Sequence, residues 1–155
     1  MLHWIKLALL VAMAGLLIAA AWGDLRARII PNWLNAAIAC VSLAWWVAAG
    51  LSPAGFAIQL GVALVVFALF TVCFALGMMG GGDVKMIGAL AIWLPFDALI
   101  TMLTLMALAG GAITLVLMIR HRLKKAEGQP EIPYGVAIAI AGLAQVGERY
   151  LYHFG

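Results

Sequence analysis

The sequence predicts an all-α integral membrane protein: a single domain over residues 1–155 folded as a six-transmembrane-helix bundle, with both termini on the outer, periplasmic side. Three observations lead there. The chain of 155 residues is 67% hydrophobic and only 10% charged, too apolar for a soluble domain, whose surface needs charge to stay in water. Its apolar residues fall into six runs separated by polar or glycine-rich breaks. Its basic residues gather in every second break, as they do in cytoplasmic loops.

A helix needs roughly 20 apolar residues to cross the hydrocarbon core of a bilayer. The first run, Trp4 to Trp22, has that length, with only Lys6 interrupting it near its start. Lys6, the apolar run and the small residues Ala19, Ala20 and Ala21 also have the shape of a signal peptide. Five apolar segments follow, so cleavage would explain nothing, and the run is read as helix one. A polar loop from Asp24 to Asn32 comes next and ends in Pro31-Asn32, which suits a helix start. Segment two covers Trp33 to Gly50, Leu51 to Gly55 make an uncharged turn, and segment three covers Phe56 to Leu76.

The stretch Gly77-Met78-Met79-Gly80-Gly81-Gly82-Asp83 is too rich in glycine to favour helix. Segment four, Asp83 to Leu94, is short for a full span. It crosses only if it tilts or if the glycine stretch already lies within the membrane. Irregular backbone at that depth needs protein or a water-filled cavity to satisfy it, which hints at a site. Pro95-Phe96-Asp97 turns the chain into segment five, Ala98 to Ile119. The longest polar loop, Arg120 to Glu131, precedes segment six, Ile132 to Tyr152.

Loops one, three and five hold Arg26 and Arg28, then Lys85, then Arg120, Arg122, Lys124 and Lys125: seven of the nine basic residues. Loops two and four hold none. The positive-inside rule therefore puts the odd loops in the cytoplasm and both termini outside. Asp24, at the end of helix one, and Asp83, at the start of helix four, then lie at the same face although about 59 residues apart in the chain.

Each aspartate also has an ordinary explanation. Asp24 can flank a span beside Arg26 and Arg28, and Asp83 can be an N-cap. Ionisable groups near hydrocarbon are costly, however, and tend to mark functional sites. Two carboxylates brought close cannot both ionise easily, so one acts as base while the other holds a proton, the division of labour of aspartic proteases. Helix polarity makes Asp24, at a helix C-terminus, the expected acid and Asp83, at an N-terminus, the expected base. Gly80, Gly81 and Gly82 remove side chains beside Asp83, so an extended peptide backbone has room to approach.

Other chemistries find little support. A net charge of +3 is better read as loop charge than as a nucleic-acid footprint. Cys40 and Cys73 form no CxxC pair and His3, His121 and His153 are scattered, so no metal or other cofactor is expected; the cysteines read as buried thiols.

Gly80-Gly81-Gly82-Asp83-Val84-Lys85 resembles the GxGDxK motif of the type IV prepilin peptidases. Asp24 followed by Ile30-Pro31-Asn32 resembles their first-aspartate motif, and Ile132-Pro133-Tyr134-Gly135 the start of their last helix. The resemblance covers essentially the whole chain. It implies a multi-pass aspartic endopeptidase of the bacterial inner membrane that cuts the short basic leader from prepilin and pseudopilin precursors at the cytoplasmic face. The implied catalytic pair is Asp24 and Asp83, with Gly80, Gly81, Gly82, Lys85, Pro133 and Tyr134 as substrate-binding residues. Long members carry a further cytoplasmic region with paired cysteines, associated with N-methylation. This chain has no such region and resembles the short members associated with Flp (tight-adherence) pili, so neither methyltransferase activity nor S-adenosylmethionine binding is implied. The expected partners are the precursor peptides and membrane lipid, with a homo-oligomer or the pilus assembly machinery left open.

Two other classes compete. A small transporter would use the aspartates as an ion pathway, but the spans offer few polar residues beyond Gln59, Thr71 and the threonines of segment five. A non-catalytic assembly component of a pilus or secretion system would need neither carboxylate for cleavage. Presenilin-like proteases share GxGD, but their partner helix carries Tyr-Asp where this chain has Gly23-Asp24. Asp97 reads as a solvated turn residue, Glu148 and Arg149 as a surface pair, and Trp22, Trp33 and Trp93 as an interfacial belt.

Overall fold

A bilayer offers the backbone no partners, so each segment must satisfy its own N–H and C=O groups, and these apolar runs do so as helices. The computed structural model describes residues 2–123 and 132–154. Over these the elements are α1 (Leu2–Ala27), α2 (Asn32–Ala49), α3 (Pro53–Ala75), α4 (Gly81–Trp93), α5 (Phe96–Leu123) and α6 (Tyr134–Phe154), with no strand among the described residues. The basic loop containing Lys124 and Lys125 lies outside the described residues.

Four of the six helices, α1, α2, α3 and α5, are long and apolar enough to cross a membrane, and the protein is a membrane protein. The other two differ from full apolar spans for separate reasons. Helix α4 has 13 residues, which at 1.5 Å per residue is about 20 Å. Helix α6 has the length, at 21 residues, but carries Gln145, Glu148, Arg149 and His153 in its second half.

Short α4 is the centre of the bundle. Helices α2, α3 and α6 pack around it, α1 closes the ring against α2 and α6, and α5 lies outside against α6. Met86, Ile87, Leu90 and Ala91 of α4 are fully buried, with Leu10, Met13 and Leu17 of α1, Ile38 of α2 and Ile138 of α6 in the same core. Helix α3 buries only Ala63 and turns Ile58, Leu64, Val65, Leu69 and Val72 outward. An exterior so apolar is suited to acyl chains.

Two side chains hold α4 in place. Gln59 of α3 donates from Nε2 to the Ala91 carbonyl at 3.0 Å and also to that of Leu94, satisfying carbonyls that the end of α4 leaves free. Ser42 of α2, fully buried, donates to Ile38 O at 2.8 Å and Ala89 O at 3.1 Å, a polar contact of the kind that joins membrane helices.

Several expectations change. Helix α1 continues to Ala27, so Asp24 is in its last turns rather than in a loop. Trp93 is 1% exposed and meets Trp45 edge-on at 6.2 Å; it is core, whereas Trp22 and Trp33 are exposed. Cys40 is exposed and Cys73 half-buried, so the thiols are not buried as expected. Arg149 does not simply face water beside Glu148: its guanidinium stacks over Trp93 at 4.9 Å and Trp45 at 5.5 Å. Asp97 is exposed, as expected, but lies in the first turn of α5 rather than in the loop before it.

Candidate active site

Helix α1 ends because Arg28 takes a left-handed backbone, φ 55°, while its N–H still bonds Asp24 O at 3.0 Å. That conformation costs a non-glycine residue roughly 1 kcal/mol. It turns the chain so that Ile29 and Ile30 pass across the end of the bundle before Pro31 caps α2. The turn is tight: a Cβ on Gly23 would stand 3.0 Å from the Ile29 carbonyl oxygen.

Helix α4 starts from Gly80, which places Asp83 in its first turn. Asp83 is not the N-cap. It sits three residues further on, and its side chain bends back towards Gly80, where a Cβ would be 3.1 Å from Oδ2. The other two glycines also pack against protein. A Cβ on Gly81 would meet Phe74 at 3.4 Å, and one on Gly82 would meet Ile30 at 3.2 Å. The Gly82 carbonyl accepts from Asn35 Nδ2 at 3.2 Å, which ties the glycine run to α2.

The two aspartates come to one cavity. Asp24 and Asp83, 6% and 9% exposed, line one cavity of about 190 Å³ with Arg28, Ile29, Ile30, Gly80, Gly81 and Gly82. Asp83 feels the charge of Asp24.

A third helix completes the arrangement. Pro133, which precedes α6, has no side chain able to cap it. The carboxylate of Asp24 does so instead, its Oδ2 accepting from the Val136 N–H at 3.1 Å. Gly135 makes this possible, because a Cβ there would lie 2.9 Å from Asp24 Cγ and 2.8 Å from Ile30 Cδ1. This adds a second helix end to the one on which the acid and base assignment rests. Asp83 stands at the N-terminus of its own helix, while Asp24 stands both in the last turns of α1 and at the N-terminus of α6, where the two dipole ends oppose each other.

The remaining sequence candidates lie around this cavity rather than along its wall. Lys85 donates to Asn32 Oδ1 at 2.7 Å and faces a groove on the other side of α4. Pro133 is buried at the start of α6. Tyr134 borders a separate cavity with Gly110 and Thr114 of α5. Sequence reasoning passed over Arg28, Ile30, Asn35 and Gly135. Of these Ile30 and Gly135 carried a signal, as parts of the Ile30-Pro31-Asn32 and Ile132 to Gly135 motifs. Among the described residues, no three His, Cys, Asp or Glu side chains come together where they could hold a metal ion.

No curated protein and no solved structure matches this chain. The model of the type IV leader peptidase family does match, over residues 11–115, a stretch that contains both aspartates and more than half of the chain. The protein belongs to the type IV leader peptidase family and is therefore a membrane protease.

Proposed function

We propose that the protein is an aspartic endopeptidase of the bacterial inner membrane that removes the basic leader from prepilin and pseudopilin precursors at the cytoplasmic face. One observation carries this reading: in a leader peptidase, two carboxylates about 59 residues apart in sequence line the same small cavity. In the reaction, one aspartate takes a proton from a water whose oxygen attacks the scissile carbonyl carbon. The other gives its proton to the carbonyl oxygen. The tetrahedral intermediate collapses as the C–N bond breaks and the leaving nitrogen takes a proton from the pair.

In this reading all six helices cross the membrane, α4 with help from its neighbours. Arg26, Arg28 and Lys85 mark the cytoplasmic side and both termini are periplasmic. The free cysteines and the short link between α1 and α2, residues 28–31, support the Flp-type subclass acting without methylation. Gly80, Gly81, Gly82, Lys85, Pro133 and Tyr134 are assigned to substrate contact. Partners are the precursor and surrounding lipid, with self-association or pilus machinery as further candidates.

The test is co-expression with a basic-leader precursor, followed by N-terminal sequencing of the product. Asp24→Asn and Asp83→Asn are each expected to abolish cleavage while the protein still inserts. Normal cleavage by either variant would sink the reading, and a transporter or assembly component would leave the precursor uncut from the outset.

A further inference from the structure

Ile29 and Ile30 follow each other across the end of the bundle, yet Ile29 is 63% exposed and Ile30 only 7%. The buried one lies between two glycines. A Cβ on Gly82 would stand 3.2 Å from Ile30 Cβ and 3.4 Å from its carbonyl oxygen, and one on Gly135 would stand 2.8 Å from Ile30 Cδ1. Gly82 directly precedes Asp83, and a Cβ on Gly135 would also meet Asp24 Cγ at 2.9 Å. The Ile30 side chain therefore fills the space between the start of α4, which carries Asp83, and the start of α6, to which Asp24 is bonded. It lines the carboxylate cavity as well.

The first turn of α2 ties α4 to this wedge twice. Asn35 Nδ2 donates to the Gly82 carbonyl at 3.2 Å, and Lys85 Nζ donates to Asn32 Oδ1 at 2.7 Å. Asn32 and Asn35 are one turn apart on α2, while Gly82 and Lys85 lie on either side of Asp83 on α4. The two ties are unequal. Lys85 is exposed, so water competes for its bond, whereas Asn35 is 5% exposed and its bond is shielded. Asn35 draws the start of α4 inward, and Ile30 stops it.

We infer that Ile30 and Asn35 are positioning residues of the cleavage reaction: Ile30 is the spacer that fixes the separation of the two carboxylates, and Asn35 is the tether that holds Asp83 against it. The chemical role rests on the aspartic peptidase reading above, and the geometry on packing alone. An acid and base pair works only over a narrow range of separations. Carboxylates far apart both ionise, which leaves no acid, while carboxylates too close leave no room for the attacking water. A misplacement of about 1 Å can cost roughly 100-fold in rate, so one side chain between two glycines is enough to set it.

Carbon-13 NMR of the full-length protein in bilayer nanodiscs, labelled at the aspartate carboxyls, reads the separation through the coupling of the pair. The chain has three aspartates, and exposed Asp97 is the internal reference. Arg28, the other charged residue lining the cavity, is kept in every variant. Ile30→Ala removes the wedge, and the pair, drawn together, is expected to titrate in two steps at least about half a pH unit further apart. Asn35→Leu keeps the size of the side chain and removes the tether, so the two steps should move closer. Ile30→Val retains the branched Cβ against Gly82 and should restore the spacing. Leu99→Ala empties a buried position that does not line the cavity; it should lower stability without moving the steps. In cleavage of a basic-leader precursor, Ile30→Ala and Asn35→Leu should each lower kcat at least about tenfold with KM changed by less than about twofold. Steps that stay in place, that move the same way in Ile30→Ala and Asn35→Leu, or that move equally in Leu99→Ala overturn the inference. Failure of the unmodified protein to cut the precursor refutes the peptidase reading instead, and the titrations still decide the spacing.

Discussion

Asp24 caps a helix that begins 110 residues after it: its Oδ2 accepts the Val136 N–H at 3.1 Å. The side chain that lines the carboxylate cavity also fixes the entry of α6 into the bundle. Asp24 therefore combines a structural role with its candidate catalytic one, and substitutions can separate the two.

Gly135 is the contact that permits this. An alanine there would push its Cβ to 2.9 Å from Asp24 Cγ and 2.8 Å from Ile30 Cδ1, with both neighbours held in packed surroundings. Gly135→Ala is expected to cost about 1–3 kcal/mol through overpacking. Displacement of Asp24 should lower the cleavage rate by roughly 100-fold. Gly111→Ala is the control, since nothing lies within 4 Å of its added Cβ, and it should leave cleavage unchanged. Precursor cleavage and thermal unfolding of both variants in detergent check this.

Asp24→Asn keeps an oxygen for the Val136 N–H, whereas Asp24→Ala leaves it only the Pro133 carbonyl, at 3.2 Å. Both should lose cleavage by about 100-fold to 10,000-fold, the usual contribution of a general acid or base. Only the alanine variant should also lose stability, by about 1 kcal/mol as for other lost caps. Equal stability of the two variants would show that the Val136 contact contributes nothing to the fold.

What was legible in the sequence follows the range of each interaction. Apolar runs of bilayer length gave the helices, since each satisfies its own backbone. The loop count and the glycine motif brought Asp24 and Asp83 to one end. The contacts that build the cavity were not legible, because they join residues far apart: Asn35 to Gly82, 47 positions away, and Asp24 to Val136, 112 away. Trp93 was misread for a related reason. An aromatic at a helix end looks the same in sequence whether it faces lipid or core, and only the neighbours Trp45 and Arg149 decide.

Arg149 illustrates the cost of burying charge in such a bundle. Its guanidinium lies over two tryptophan faces and within reach of the charges of Asp97 and Glu148, and its Nε is buried without a hydrogen bond. Lysine has no planar group to stack. Arg149→Lys should therefore destabilise the protein by up to about 2 kcal/mol, the scale of a desolvated cation–π contact. Cleavage at permissive temperature should be nearly unchanged, because Arg149 and Asp24 meet α6 at opposite ends. Unfolding followed by tryptophan fluorescence reads the first effect directly.

Gln59 explains how a helix of 13 residues survives at the centre of a membrane protein. The end of α4 leaves carbonyls that neither lipid nor the turn at Pro95 can satisfy, and Gln59 Nε2 reaches those of Ala91 and Leu94 from α3. Gln59→Leu preserves the volume and removes the donor, leaving buried acceptors at a cost of about 1–3 kcal/mol. Thr71→Val is the matched control on the same helix, because Thr71 bonds only Phe67 O of its own preceding turn, at 2.7 Å. It should change stability little. A loss confined to Gln59→Leu in equilibrium unfolding would establish that the cap across helices, rather than the mere presence of a polar group in α3, holds α4 and so positions Asp83 at its far end. Equal losses in the two variants would overturn that account.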